Sequence, residues 1–318
     1  MYQRTDRLGF LFPAECFLYH GCQKLRRSQT ITDLIGVTVS EDQVGSARLN
    51  AAVQDPINVA YDNRANRLLI LQAQGNQLLE VLEGPDGRLD PATLTHHNVV
   101  CFGVQKPQGM TVDPATGDLL ILDGAGPRIV RVSGGLDNGV VSFTNLGASG
   151  ITTPRGIALD PSTGHLHIAS PSEKILYELT QAGELIALRD LTQFDLKDIQ
   201  GIVFAPSGDQ TDDPSSTNLY LADSGLNAAQ ATSDLQSTGQ IVELSMMAPP
   251  ALPAATTLLP ASLVQIIDTS NKGSWNPSSP DPAGVDYLPA TDPAESRLVV
   301  TDSEVDEMPN YFAGKKCS

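Results

Sequence analysis

A five-fold internal repeat is the feature that most constrains how this chain folds. Each copy opens with a short apolar run around a small residue, and a second apolar run follows it. The marker residues Asn58, Gly109, Gly156 and Gly201 are spaced by 51, 47 and 45 residues. The five openings are residues 56–62, 107–113, 154–160, 199–204 and 282–287. Periods of about 20–50 residues are typical of solenoids, propellers and arrays.

Four apolar runs in each of the first four copies predict a four-stranded unit. In the second copy they lie at 107–113, 119–122, 129–132 and 140–143. Runs rich in Val, Ile and Leu, bounded by Gly, Pro and Asp, indicate strands joined by hairpins. No stretch between them has apolar residues at helical spacing, which argues against βαβ units. The pattern predicts an all-β fold, a β-propeller of four-stranded antiparallel blades.

The glycine at each opening has a conformational reason. An innermost strand packs tightly around the propeller axis, and a glycine there avoids a steric clash and permits positive φ. Asp123 and Asp223 each end a second run, and we expect them to brace the hairpin turn that follows. In the first copy, the fourth run at 99–102 contains Cys101, which is expected to be a small buried apolar residue of a strand.

The motifs of the second and third copies resemble the NHL repeat. They are Pro-Gln-Gly-Met-Thr-Val-Asp-Pro with Gly-Asp-Leu-Leu-Ile-Leu-Asp, and Pro-Arg-Gly-Ile-Ala-Leu-Asp-Pro with Gly-His-Leu-His-Ile-Ala. The resemblance covers roughly residues 31–305 and implies a fold related to gluconolactonase-like and strictosidine-synthase-like propellers. Those families usually have six blades, whereas five openings are recognisable here. The alternatives are a five-bladed ring and a truncated fragment of a longer surface protein.

The expected organisation is one propeller domain after an N-terminal extension. Residues 1–30 are predicted to be a leader or irregular extension, and residues 31–318 the propeller. Blades are expected to start near 56, 107, 154, 199 and 282, with an Ala/Pro-rich insertion at 246–256. Propellers close when N-terminal chain completes the last blade, and residues 32–39 are predicted to supply its fourth strand. The segment 47–50 resembles the lead-in to a blade.

The net charge and the cysteines bound the environment and the partners. A formal charge of −17 repels phosphate backbones, so nucleic acid is not an expected partner. Four cysteines are too few for a disulfide scaffold, although Cys16 and Cys22 are candidates for one bridge. No apolar run is long enough to predict a transmembrane helix. The resemblance favours an extracellular or cell-envelope location, with a cytoplasmic location as the alternative.

A calcium site is predicted in the acidic segment that follows the last second-strand run. Its candidate ligands are the carboxylates of Asp302, Glu304, Asp306 and Glu307, because oxygen ligands suit hard cations. The alternative is a solvated acidic loop, since the segment lacks the pattern of an EF-hand. The acidic segment 209–213 is a weaker candidate of the same kind.

The histidines offer a weaker metal hypothesis. His165 and His167 are two residues apart in a strand, so they share one face, but no third zinc ligand is evident. Packing or surface roles are therefore favoured for both. His96 and His97 are expected to lie in a solvated connection.

The loops before the inner strands are predicted to form a ligand-binding funnel at one end of the ring. The candidate residues are Asn58, Gln108, Arg155 and Gln200 at the strand starts, together with Trp275. Arg and aromatic side chains are favoured anchors in binding sites. Packing against the ring is the alternative role for Trp275.

These observations favour a non-enzymatic scaffold that binds a protein or a small molecule at the funnel, stabilised by calcium and exported. The alternative is a divalent-metal-dependent hydrolase of lactonase or esterase type with an axial site. In gluconolactonase-like relatives, carboxylates and amides at the inner-strand starts hold the ion. An arginine among the amides does not match that set, so the resemblance carries no lactonase residues over to this chain.

Overall fold

The computed structural model describes ten segments of the chain. They are residues 31–37, 43–53, 56–72, 75–85, 88–208, 216–225, 239–246, 261–269, 282–289 and 296–302. These residues form five four-stranded antiparallel sheets, which are the five blades of a β-propeller. The fold class and the five recognisable blade modules are confirmed, and the described segments form no sixth sheet, whereas six blades are usual in the resembled families.

The strands are numbered in chain order, and each blade is given from the axis outward. Blade 1 contains β3 (Pro56–Asp62), β4 (Arg67–Gln72), β5 (Gln77–Leu82) and β6 (Thr95–Asn98). Blade 2 contains β7 (Pro107–Val112), β8 (Leu119–Asp123), β9 (Arg128–Ser133) and β10 (Val140–Asn145). Blade 3 contains β11 (Arg155–Leu159), β12 (Leu166–Ser170), β13 (Ile175–Leu179) and β14 (Leu185–Asp190). Blade 4 contains β15 (Ile199–Pro206), β16 (Thr217–Asp223), β17 (Gln240–Ser245) and β18 (Ser262–Asp268). Blade 5 contains β19 (Pro282–Leu288), β20 (Arg297–Asp302), β1 (Ile31–Val37) and β2 (Gln43–Ala52).

Blade 5 closes the ring by combining two strands from the N-terminal part of the chain with two from the C-terminal part. The N-terminal strand β1 pairs antiparallel with β20, with Ile35 opposite Val300. The inner strands β3, β7, β11, β15 and β19 each pack against the inner strands of both neighbouring blades. Closure by N-terminal chain is thus confirmed, but the detail differs from the prediction. The segment predicted as the fourth strand of blade 5 is its third strand, β1. The fourth strand is β2, which includes the segment 47–50 that resembles the lead-in to a blade.

Five apolar clusters fill the five interfaces between blades. The cluster between blades 1 and 2, for example, includes Leu69, Leu71 and Ile121. Successive side chains of a strand point to opposite faces, so Leu68 and Ile70 pack instead between blades 5 and 1. Both faces of a middle strand are therefore buried. This explains why its sequence is a continuous apolar run instead of an alternating one.

The fourth strand of blade 1 was predicted in the wrong place. Residues Val99–Phe102 form a short 3-10 helix, which begins where the Asn98 side chain accepts the Val100 N–H at 2.9 Å. The strand is the preceding polar segment, so His96 and His97 lie in β6 and not in a connection. An outermost strand has a solvated edge and needs no apolar run, whereas Val99 and Phe102 face the core between blades 1 and 2.

The prediction for Cys101 was also wrong. This residue lies in the 3-10 helix and is disulfide-bonded. The other three cysteines, and with them the Cys16 and Cys22 candidates, lie outside the described residues. No helix among the described residues is long and apolar enough to cross a membrane.

Candidate functional site

The marker residues meet at one level of the propeller axis. A Cβ added to Gly284 would lie 2.7 Å from the Cα of Asn58, and one added to Gly109 would lie 2.9 Å from the Cα of Gly156. Gly156 also has a φ of 71°, which side-chain-bearing residues rarely adopt. The backbones thus approach at a distance that only glycine allows. The conformational reason predicted for these glycines is confirmed.

Asn58 takes the place of the glycine in blade 1. Its side chain is fully buried, and its Oδ1 accepts the N–H of Met110 on the neighbouring inner strand at 3.1 Å. Its Nδ2 has no hydrogen-bond partner. This amide therefore forms a hydrogen bond with the backbone of β7, the inner strand of the next blade. It does not line the cleft at the start of the inner strands of blades 2, 3 and 4, although Asn58 was predicted among the ligand-binding residues.

A cleft of about 380 Å³, the entrance cleft, opens where the inner strands of blades 2, 3 and 4 begin. Its charged and amide lining consists of Lys106, Gln108, Arg155, Lys197 and Asp198. The loops before the inner strands and the first residues of those strands supply these side chains. The volume lies within the range of small-molecule sites, about 300–1,000 Å³.

Hydroxyl groups complete the polar lining of the entrance cleft. Thr152 and Thr153 precede the inner strand of blade 3, and Ser172 follows its second strand. The Oγ1 of Thr153 lies 3.0 Å from the Oγ of Ser170, and the Oγ1 of Thr152 donates to Glu173 at 2.9 Å. These side chains are held in place by neighbouring groups of the same blade.

Three of the predicted ligand-binding residues come together here. Gln108 and Arg155 line the cleft, and Gln200 lies directly behind Arg155 and accepts a hydrogen bond from its Nη2. Gln200 is only 8% exposed, and its Nε2 donates to Asp198 Oδ2 at 2.7 Å and to Ser224 Oγ at 3.2 Å. The predicted Trp275 lies outside the described residues.

The network fixes the Arg155 guanidinium next to Asp198. Burial raises the pKa of the Asp198 carboxyl above its ordinary value, and the positive charge of Arg155 opposes that shift. Because Gln200 bonds both residues, neither can change rotamer without breaking a partly buried hydrogen bond. The guanidinium is therefore pre-organised in the wall of the cleft.

Asp123 and Asp223 support the loops that carry the cleft. Asp123 accepts the N–H of Ala125 in the following turn at 3.1 Å, which confirms its predicted bracing role. It also accepts the N–H of Lys106 at 2.9 Å, and Asp223 accepts the N–H of Asp198 at 2.6 Å. Burial alone would raise the pKa of Asp123, but these backbone hydrogen bonds and the Arg128 side chain hold it below its ordinary value.

Positive charge is concentrated at the entrance cleft. Lys106, Arg155 and Lys197 stand on three successive blades, against one lining carboxylate, Asp198. The ion pairs among the described residues include Lys197 with the exposed Asp195, but neither Lys106 nor Arg155. Lys106 and Lys197 were missed from the sequence. Lys106 lies three residues before its marker glycine, and Thr153 and Asp198 lie at the same distance before theirs. A comparison of that repeat position would therefore have indicated residues of the cleft lining.

A second set of polar groups lies on the third strands of blades 1 to 4. The third strands carry charged residues at matching positions, and each has a partner. The pairs are Glu80 with Arg67 at 2.7 Å, Arg131 with Asp118 at 3.0 Å, Glu178 with Arg189 at 2.6 Å, and Glu243 with Asn218 at 2.7 Å. A buried charge with satisfied hydrogen bonds is consistent with a structural role. These positions also were not anticipated from the sequence.

The histidines have packing partners in the structure. His167 is 2% exposed, and burial lowers its pKa to about 4. The centroids of the His167 and Phe204 rings are 5.0 Å apart in an edge-to-face arrangement. His165 lies 2.8 Å from Glu178, and His97 lies 2.9 Å from Glu80. Among the described residues, no group of three metal-ligating side chains is found.

The calcium prediction falls mostly outside the described residues. The backbone of Asp302 ends β20 opposite Pro282. Glu304, Asp306, Glu307 and the acidic segment 209–213 lie beyond the described ranges. The calcium site therefore stays a prediction.

Comparisons with known proteins concern the fold. A structure described as a nidogen/laminin complex is 14% identical, with 81% of this chain and 82% of that chain covered and a TM-score of 0.46. A catalytically inactive virginiamycin B lyase from Staphylococcus aureus with quinupristin is 13% identical, with 88% and 98% covered and a TM-score of 0.43. The β-propeller domain of Cps50 from Myceliophteria thermophila is 11% identical, with 87% and 97% covered and a TM-score of 0.43.

No family model matches the chain. No curated protein matches it either. The resemblance to the NHL repeat therefore stays a prediction.

Proposed function

We propose that this chain is a non-enzymatic binding module whose ligand site is the entrance cleft. The observation that carries the proposal is the network of Arg155, Gln200 and Asp198. It holds a charged side chain rigidly in the wall of a cleft while leaving most of its hydrogen-bond donors unused. A guanidinium has five N–H donors, and pre-organised donors raise affinity because less entropy is lost on binding.

The size of the cleft favours a small molecule over a protein surface. A volume of about 380 Å³ matches a compact ligand, and the lining mixes charged, amide and hydroxyl groups. These groups come from loops supported by a rigid ring, which is where binding residues are commonly found. Such a lining is suited to recognising polar groups of defined geometry.

A pair of matched variants tests the location of the site. Thr152→Trp places a bulky side chain at the rim of the cleft, and Thr116→Trp places one in the exposed turn after β7, at the opposite end of the ring. The assay is a thermal melt of each protein with a library of small polar metabolites. A compound present at a hundred times its Kd should add about 2.7 kcal/mol, which raises Tm by about 4 °C for a chain of this length.

The proposal expects at least one compound to raise the Tm of the wild type and of Thr116→Trp, but not that of Thr152→Trp. If every active compound stabilises Thr152→Trp equally, or no compound is active, the entrance cleft is not the ligand site.

We propose in addition that calcium stabilises the fold and that the chain is exported. Carboxylates at 302–307 supply suitable ligands, and the disulfide of Cys101 is consistent with an oxidising compartment. Melting the wild type and the double variant Glu304→Gln/Asp306→Asn in calcium and in chelator tests the first point. Calcium should raise the wild-type Tm by several degrees and the variant Tm by less, and equal Tm values would contradict it. Cell fractionation tests export, which a purely cytoplasmic protein would contradict.

A further inference from the structure

The entrance cleft has a charge opposite to that of the whole protein. The chain has 37 acidic and 20 basic residues, yet three cations and one carboxylate line this cleft. Elsewhere in the described part of the chain, the buried or half-buried Arg67, Arg128 and Arg189 are each paired with a carboxylate. Of the three cleft cations, Lys197 is paired with the exposed Asp195, whereas the ion pairs of the described residues include neither Lys106 nor Arg155. In a chain with excess acid, these two unpaired cations indicate a place for an external anion.

The cations are arranged to reach one ligand from several sides. Lys106 belongs to blade 2, Arg155 to blade 3 and Lys197 to blade 4, so the two lysines flank the arginine. Arg155 donates one hydrogen bond to the neutral amide of Gln200, and its charge acts on the nearby Asp198 carboxylate without an ion pair between them among the described contacts. The planar fork of a guanidinium fits the two oxygens of a carboxylate or phosphate group.

We infer that the entrance cleft binds a small molecule that carries at least two carboxylate or phosphate groups, one of them on Arg155 and the others near Lys106 and Lys197. This inference rests on the proposed function, because it names the ligand class of the same cleft. The hydroxyls of Thr152, Thr153 and Ser172 line the remaining wall and suit polar groups between the anionic ones.

The overall charge of −17 does not prevent this binding. At physiological salt, charges separated by more than about 8 Å are largely screened, so distant carboxylates act weakly on a ligand in the cleft. The side chains that line the cleft sum to two positive charges. Two further carboxylates border the lining, Asp195 beside Lys197 and Glu173 beside Thr152, and they reduce this local excess. Asp198 is the one carboxylate in the lining. It accepts a hydrogen bond from Gln200 Nε2 at 2.7 Å, which fixes it beside Arg155.

Calorimetric titration in metal-free buffer at physiological ionic strength tests the inference. The probes are tricarballylate for carboxylates, pyrophosphate for phosphates and sucrose as an uncharged control. The variants are Arg155→Gln and Lys106→Gln, with Arg64→Gln as the matched control. Arg64 lies in the turn between β3 and β4, at the opposite end of the ring, so it removes the same charge away from the cleft.

The inference expects one or both anions to bind the wild type and sucrose not to bind. Loss of the arginine fork should raise Kd by about 10–100-fold. Loss of the exposed Lys106 charge should raise it by about three-fold, whereas Arg64→Gln should match the wild type. Binding of one probe alone assigns the ligand to that anion class. Lys106 donates only its backbone N–H among the described contacts, so Lys106→Gln remains informative if Arg155→Gln fails to fold.

Two results would overturn the inference. One is the absence of binding by both anions, and the other is an equal Kd for the wild type and both cleft variants. If the anions fail while an uncharged library compound stabilises the wild type but not Thr152→Trp, only the ligand class is wrong. If the anions and the whole library fail, the proposed function fails as well.

Discussion

Gly284 is the position at which one added methyl group should most disturb the ring. Its Cβ would lie 2.7 Å from the Cα of Asn58, and 2.9 Å from both the N of Val59 and the Oγ1 of Thr301. Two of these three atoms belong to the backbone of β3, so they can move only if blade 1 shifts relative to blade 5. Gly284→Ala therefore tests whether these two blades close the ring against each other.

The expected cost is about 3 kcal/mol, the upper part of the range for overpacking, because the neighbouring atoms are backbone. For a chain of this length that lowers Tm by about 5 °C. Gly126→Ala is the matched control, since a Cβ there meets nothing within 4 Å. Thermal melts followed by circular dichroism compare the two variants. A Gly284→Ala Tm within about 1 °C of the control value would refute the close contact between β19 and β3.

Three further predictions concern buried ionisable groups. Burial lowers the pKa of His167 to about 4. The free energy of unfolding of the wild type should therefore fall by about 3 kcal/mol as pH drops from about 6.5 to about 4. In urea unfolding over the same pH range, His167→Leu should lose less. Burial raises the pKa of the half-buried Asp286 to about 7, and its carboxylate accepts the Tyr61 N–H. The contribution of this group to stability is therefore fully present below about pH 4 and is lost as pH rises through about 7. Asp286→Asn should melt above the wild type at pH 8, and an equal or lower Tm would contradict this. Glu243, fully buried, accepts three hydrogen bonds, so Glu243→Ala should cost about 3 kcal/mol in urea unfolding, against little for the exposed Glu184→Ala.

The sequence predicted the blades well because their strands are buried on both faces. Leu68, Leu69, Ile70 and Leu71 form one continuous apolar run that serves two interfaces, and such runs recur at a readable period. The outermost strand has a solvated edge, so its residues need not be apolar. The apolar pattern therefore does not indicate the polar strand β6, and it wrongly predicts a strand at the apolar 3-10 helix that follows.

The candidate site was predictable only where it follows the repeat. Gln108, Arg155 and Gln200 occupy matching positions before the marker glycines, and the structure brings them to one cleft or its wall. Lys106 and Lys197 lie in loops, where no packing requirement fixes a pattern. Asn58 was grouped with the binding residues by position alone, yet its side chain is turned to the neighbouring strand.

Hydrogen exchange followed by mass spectrometry would test the ligand site most directly. The wild-type chain is measured alone and with the library compound that raises its Tm most. Occupancy of the entrance cleft predicts slower exchange in peptides covering 104–109, 152–156 and 196–200, and no change in the turn at 63–66. Protection at 63–66, or none in the three cleft segments, would contradict binding at the entrance cleft.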